Sequence, residues 1–355
     1  MNIFNKIHEH FTDNKPFVAY SKPNESKLSA FFMQSDTLRI TENFEVSGFV
    51  FAPFDEVEDA ILFPKEESEF YQKNIDFDDL LIESESVLCD QEDLLAKEKH
   101  IKIVNKAIDT IENSDLEKIV ISRNEIVDLE NFDLLRVYKS LLKKYQNAFV
   151  YVWFHPKVGL WLGATPETLL HVEGDKFKTM SLAGTQVYQE NKNPEWKSKE
   201  LEEQQLVTYF IESQLNPISS NLKIDATETI RAGNLLHLRT RVEGRLSTNA
   251  NLEQLIRAIH PTPAVCGLPR KSAKDFILNN EGYNRTFYTG FLGELNLKNT
   301  TNSIQKSQLF VNLRCMSIKD NSAVIYVGGG ITKDSVAEKE YEETVSKSKT
   351  MKTVL

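Results

Sequence analysis

With 355 residues, 41% apolar and 26% charged, the chain has ordinary globular composition and enough length to bury one large core or two ordinary ones. Its 42 Lys and Arg against 52 Asp and Glu give a net charge of −10, which argues against a nucleic-acid partner, since phosphate binding wants clustered cations. An anionic small substrate stays compatible, because a buried basic pocket or a bound cation reverses the sign locally. The three cysteines, Cys89, Cys266 and Cys315, are scattered and form no CxxC pair, so neither a disulfide framework nor a thiolate zinc site is indicated. The N-terminus is too polar for a signal peptide and no apolar run of about 18 residues occurs, so no membrane partner is expected and a reducing cytoplasm is the default compartment.

Residues 1–90 read as short strands and turns, FFMQ and VSGFVFAPF among them, followed by an acidic stretch with 16 acidic and 4 basic side chains from Asp55 to Lys99. Ile101, Val104, Ile108 and Ile111 then recur at helical spacing, and EKIVISR (Glu117 to Arg123) reads as a strand. Leu134, Tyr138, Leu141 and Tyr145 mark a second amphipathic helix. AFVYVWF and VGLWLG form a hairpin around His155-Pro156-Lys157, and TLLHV and KFKTM repeat it around Glu173-Gly174-Asp175. Asn193-Pro194 opens a long helix running to about Leu215, with Asn as cap and Pro in the first turn. The strand LHLRTRVEGRL follows, then a helix from Asn251 to Ile259, three strand-rich segments, and a closing helix from about Asp334. Hairpin-linked strands with interspersed helices predict an α+β fold with antiparallel sheets.

Six places carry the polar groups of interest, several of them on constrained backbone. Val336, Glu340, Glu343 and Lys347 share one face of the last helix, either as a solvated face with an ion pair or as carboxylates gathered on a cation. The preceding VGGGI leads from a strand toward that helix, where glycines let backbone N–H groups approach an anion. Glu203 edges the apolar stripe Leu206, Val207 and Phe210, and Thr165-Pro166 fixes Glu167 at a strand end, a suitable setting for a general acid. Lys118 begins an apolar strand, where a lysine with little water around it makes a usable base, although a solvated lysine is the plainer alternative. In HPTPAVCG two prolines stiffen a loop whose His260 is either functional or a structural histidine at a helix end.

Together these segments resemble the chorismate-binding enzyme family. EKIVISR, GATPETLL, SLAGT, KELEEQQLV, LHLRTRVEG, HPTPAVCG, YNRTFYTGFLG, LFVNLRC, VGGGI and KEYEETVSKSKTM follow in one order over about residues 92–355. The resemblance implies one large α+β domain, two packed, mainly antiparallel sheets with outer helices. Residues 1–91 would be a divergent N-terminal part of that fold and 92–355 the chorismate-binding catalytic region. It further implies that Lys118 activates water against C2 of chorismate and Glu167 protonates the departing C4 hydroxyl. Glu203, Glu340 and Glu343 would hold Mg2+, while Tyr288 and Arg314 hold the enolpyruvyl carboxylate. Gly184, Thr185, His260, Ala264, Gly329 and Lys347 would complete the substrate pocket.

Ammonia-using relatives typically carry Gln where this chain has Lys118, so water is the expected nucleophile and no glutaminase subunit is expected. HPTPAVCG, with Ala264, resembles isochorismate-forming members; salicylate-forming members tend to carry Thr there. The expectation is therefore a Mg2+-dependent, reversible conversion of chorismate to isochorismate, feeding menaquinone or siderophore synthesis. The alternatives are salicylate formation, or an inactive ligand-binding relative that would be expected to lack at least one of Lys118, Glu167, Glu203 and Glu343. Gln186 departs from the Arg common after the Gly-Thr pair.

Overall fold

The computed structural model describes residues 2–82, 93–190, 194–232, 235–298 and 304–355; Cys89 and Asn193 lie outside these residues. The first part holds α1 (Ile3–Thr12), β1 (Phe17–Ser21), β2 (Lys27–Met33), β3 (Ile40–Thr41), β4 (Gly48–Ala52), β5 (Ala60–Pro64) and β6 (Ser68–Asn74). Next come α2 (Leu94–Glu112), β7 (Lys118–Asp128), α3 (Leu134–Lys144), β8 (Phe149–His155), β9 (Gly159–Thr165), β10 (Thr168–Glu173) and β11 (Lys176–Val187). Then follow α4 (Ser198–Leu215), β12 (Ser219–Ile224), β13 (Glu228–Ala232), β14 (Leu235–Leu246), α5 (Leu252–Ile259), β15 (Gly267–Leu268) and α6 (Arg270–Asn280). The chain closes with β16 (Phe291–Lys298), β17 (Gln305–Val311), β18 (Cys315–Lys319), β19 (Ser322–Ile331) and α7 (Ala337–Lys352).

A nine-stranded sheet runs β15-β7-β19-β18-β9-β8-β1-β2-β6, and a ten-stranded sheet runs β12-β14-β11-β10-β17-β16-β4-β5-β3 with β13 on β14. Neighbouring strands are antiparallel, as in the β8–β9 and β10–β11 hairpins that close around the expected turns. The two sheets pack face to face because their inner strands are apolar on both sides. On β8, Phe149, Tyr151 and Trp153 enter the core between the sheets, while Val150, Val152 and Phe154 face α1 and α3 outside. On β4, Phe49 and Phe51 point inward, and Val50 and Ala52 join the cluster under α4 and α5. Period-two alternation with both faces buried reads in sequence as an unbroken apolar run, which is why FVYVWF looks uniform. A fourth cluster seats α2 and α6 against β7 through Val104, Ala107, Ile111, Ile119, Ile121, Phe276 and Ile277.

Two expected boundaries move. The helix after Pro194 starts at Ser198, with Glu200 closing back on the Lys197 N–H, so Pro194 stands in the approach to the helix. Gly328, Gly329 and Gly330 do not reach the N-terminus of the last helix, which begins at Ala337: they lie within β19, opposite Ser122, Ile121 and Val120 of β7.

Candidate active site

A cavity of about 220 Å³ opens between the ends of the two sheets. It is lined by Lys118, Glu167, Gly184, Glu203, Ala264, Tyr288, Arg314, Glu340, Glu343 and Lys347, ten residues singled out from sequence and now drawn from eight separate segments. Gly329 lies beside it: a Cβ built there would stand 3.5 Å from Glu340 Oε2 and 4.0 Å from Glu343 Oε1. Thr185 pairs through its backbone with His237, and its side chain lies outside the described residues.

Glu167 is held where the β9 strand turns into β10. Thr165 Oγ1 donates to Val311 O at 2.6 Å and accepts from Glu167 N–H at 3.3 Å, and Val311 N–H donates to Glu167 O at 3.0 Å. Burial pushes the Glu167 carboxyl up to about 7, against the opposing pull of Lys118, Arg314 and Lys347. It is therefore a carboxyl that can hold a proton near neutral pH, as a general acid requires.

Lys118, at the first position of β7, is buried, and its Nζ donates to Glu203 Oε1 at 2.6 Å. Lys347 Nζ sits 2.5 Å from Glu343 Oε1 and donates to Gly328 O at 2.9 Å. Burial opposes ionisation of Glu343, but Lys347, with Arg314 and His237, outweighs it and keeps the carboxyl below its ordinary range. Arg314 is placed by a left-handed backbone (φ 46°) between β17 and β18, a conformation uncommon for a non-glycine residue, and its Nη1 reaches Lys347 O at 3.5 Å. Tyr288 stacks on Tyr326 with ring centroids 5.5 Å apart, which gives the cavity an aromatic wall. Burial raises the Tyr288 hydroxyl, keeping it neutral as a donor.

His260, expected as a substrate contact, is turned away from the cavity. His260 is absent from the cavity lining; its Nε2 lies 3.2 Å from Thr289 O, and its ring packs on Phe291 at 4.9 Å. Burial drives it to about 4, so it is a neutral histidine that ties the HPTPA loop to the segment after Tyr288. Conversely, His237 was not singled out from sequence but lines the cavity from β14, its Nδ1 3.1 Å from Gly184 O. Burial, reinforced by Arg314, lowers it to about 4. Its place follows from the long pairing of β11 with β14, a register that the isolated string LHLRT does not reveal.

The carboxylates also bear on a metal. A Cβ on Gly330 would lie 3.5 Å from Glu203 Oε1, so oxygens from α4 and from α7 crowd the one stretch of β19 that has no side chains. Hard carboxylate oxygens beside open space suit Mg2+, which takes one or two protein carboxylates and keeps its waters. Glu203 and Glu343 are each held by a lysine, and no group of three His, Cys, Asp or Glu closes into a metal site among the described residues. The donors fit the ion in kind, and a lysine would have to yield to it.

Comparison with known proteins agrees with this geometry. The chain is 28% identical over 261 residues to the salicylate biosynthesis isochorismate synthase of Pseudomonas aeruginosa, covering 71% of this chain and 53% of that protein. It is 29% identical over 265 residues to the vibriobactin-specific isochorismate synthase of Vibrio cholerae, covering 72% and 66%. The chain thus spans between about half and two thirds of the length of these curated relatives. MenF, the menaquinone-specific isochorismate synthase from Escherichia coli, shares the fold with a TM-score of 0.78 at 20% identity, over 96% of this chain and 88% of that one. The family model for chorismate binding enzymes matches residues 52–355, most of the chain, which therefore belongs to the chorismate-binding enzyme family.

Proposed function

We propose that this protein is an isochorismate synthase, converting chorismate reversibly to isochorismate with water as the nucleophile. The observation that carries the reading is Glu167, a fully buried carboxyl poised near 7 in the same cavity as Lys118. In this reading Lys118, once its Nζ has left Glu203 and given up its proton to solvent, is a neutral amine that takes a proton from the water that bonds to C2 of the ring. The two ring double bonds shift, the C4–O bond breaks, and Glu167 delivers the proton that lets the hydroxyl depart as water. Base and acid thus exchange one proton each, and the atoms of product equal those of substrate. Arg314, Lys347 and the Tyr288 hydroxyl supply donors for the two carboxylates of the dianion, and the residues around Gly329 and Gly330 leave room for one of them. Mg2+, held by Glu203 and Glu343 with Glu340 beside them, would neutralise substrate carboxylate charge. His237, being neutral, offers a hydrogen bond without adding charge.

Ala264 puts no side-chain hydroxyl into this cavity, which favours stopping at isochorismate over pyruvate elimination. The deciding experiment incubates the protein with chorismate and Mg2+, identifies products by chromatography, and follows pyruvate with lactate dehydrogenase. A chorismate–isochorismate mixture reached from either side, without pyruvate or ammonia incorporation, is the expected result. Pyruvate tracking chorismate loss one for one would make the enzyme a salicylate synthase, and no turnover at all would leave a ligand-binding relative.

A further inference from the structure

A second and larger cleft, about 930 Å³, lies between α2, α7 and the outer half of β7, and shares no lining residue with the catalytic cavity. We propose that it binds a small organic polyanion: phosphate groups on its lysine rim and an apolar ring against its floor, as a nucleoside polyphosphate would present. The charge argument comes first. Lys99, Lys102 and Lys106 on α2, Lys349 and Lys352 on α7, and Arg123 on β7 make six lining cations, against the three acids Asp93, Glu125 and Glu281. Among the described lining residues that is a net excess of three positive charges, 6 − 3, concentrated in one concave surface of a chain whose total is −10. Such a local reversal of sign focuses the field on an anion and rejects cations.

Two of the acids are already engaged. Glu281 is the buried partner of Arg285, and Glu125 sits between Arg123 at 3.1 Å and Lys352 at 2.5 Å. Lys99, Lys102 and Lys349 are exposed at the rim. Spacings of three and four residues put Lys99, Lys102 and Lys106 on one face of α2, so the three heads line one wall.

A second observation is independent of the rim. Arg123 is only 8% exposed, yet its Nη2 has no hydrogen-bond acceptor. Its Nε goes to Thr344 Oγ1 at 2.8 Å, and its plane lies 5.0 Å over Tyr341. Beside it His100, 3% exposed, is lowered to about 4 by burial and by Arg123, and leaves Nδ1 without a partner. A buried guanidinium N–H left unpaired is costly, and Arg123, which lines the cleft, would gain by turning this closed-off N–H toward a bound anion. Ile103, Ile126 and Val345 supply the apolar surface, with Ile126 67% exposed on a β-strand. That much uncovered aliphatic surface inside a cationic rim selects a charged ligand with an apolar body over a bare ion.

Titration calorimetry of the full chain in buffer free of divalent cations tests the assignment, with ATP and inorganic tripolyphosphate as probes. The expected result is one saturable ATP site per chain, weakening as salt rises. The double substitution Lys102→Glu/Lys349→Glu should weaken ATP at least about tenfold, the scale of two lost charge-assisted contacts. Both lysines are exposed, so circular dichroism and Tm should match the parent. Lys347→Met, in the catalytic cavity, should leave ATP binding intact, and tripolyphosphate should bind more weakly than ATP for want of a ring. Absence of saturable binding to either probe overturns the proposal. So does ATP binding that survives the double substitution, or that is lost in Lys347→Met. Equal affinity for the two probes removes the ring from it.

Discussion

Glu167 shows how one side chain is made useful at a cost to the fold. Its folded carboxyl titrates near 7 while the unfolded chain titrates near 4.5, so the folded state holds the proton longer. The stability this contributes is complete below 4.5 and is lost as pH rises through 7, about 3 kcal/mol in all. Glu167→Gln cannot ionise and escapes that loss. Urea unfolding should therefore find the variant gaining on the parent from pH 5 to pH 8, and a constant difference across that range would refute burial as the cause. The same variant should lose at least about 10²-fold in kcat with a smaller change in KM, because its assigned work is proton transfer. Gly330 is as telling for the opposite reason. A Cβ there would come 2.8 Å from Lys118 Cε and 3.3 Å from its Nζ. The lysine is flexible enough to step aside, so Gly330→Ala should fold normally yet lose about tenfold or more in kcat, the lower scale of a displaced catalytic group; unchanged kcat would show that Lys118 need not sit where it does.

At the level of elements, local pattern was most readable where one residue type has one use. The hairpin turns at His155-Pro156-Lys157 and Glu173-Gly174-Asp175 each carry their own geometry. The three glycines do mark a close approach, but of one strand to another rather than of an anion to the helix: β19 runs so near β7 that a Cβ on Gly328 would meet Ile121 O at 2.9 Å. Partnerships across the chain carry no local mark at all. Arg285 donates to Val120 O at 2.7 Å, Val265 O at 2.9 Å and Glu281, while Glu281 also accepts from Ser122 N–H at 2.7 Å. This clamp sets β7 against the HPTPA loop, and Val120 and Val265 are both walls of the candidate-site cavity. Glu281→Gln leaves a buried guanidinium short of its counter-charge, so denaturant unfolding should report a loss of about 3–5 kcal/mol. A loss below about 1 kcal/mol would mean the pair is replaceable by neutral hydrogen bonds.

Across the whole molecule, the two sheets are threaded through one another. β1 and β2 belong to the nine-stranded sheet, β3, β4 and β5 to the other, and β6 returns to the first. That the candidate-site side chains belong together was legible because family-like strings carry them, whereas residues 1–82 offered only apolar stretches and could not reveal which sheet each would join. Their burial makes them integral: Phe17, Val18, Phe31, Phe49 and Phe51 are fully enclosed. Removing residues 1–33 deletes both β1 and β2, uncovers the outer edge of β8 as a row of unpaired backbone groups, and leaves β6 without its partner. That truncation should yield insoluble or unfolded chain, read by tryptophan emission at the fully exposed wavelength. A soluble fragment with native circular dichroism would show that the remaining sheet stands alone.

The ring packing between the sheets also makes the protein its own optical instrument. Phe51 stacks on Phe287 at 4.2 Å, Phe287 meets Trp161 edge-on at 5.6 Å, and Trp161 lies 5.2 Å from Tyr326 at an interplanar angle of 14°. Tyr326 is a wall of the catalytic cavity, so the indole of Trp161, itself 4% exposed, sits one ring behind the ligand and shielded from collisional quenchers. The Trp161 share of the emission should thus register occupancy of the site in an unlabelled protein, resisting iodide where the partly exposed Trp196 is quenched, while responding to whatever displaces Tyr326.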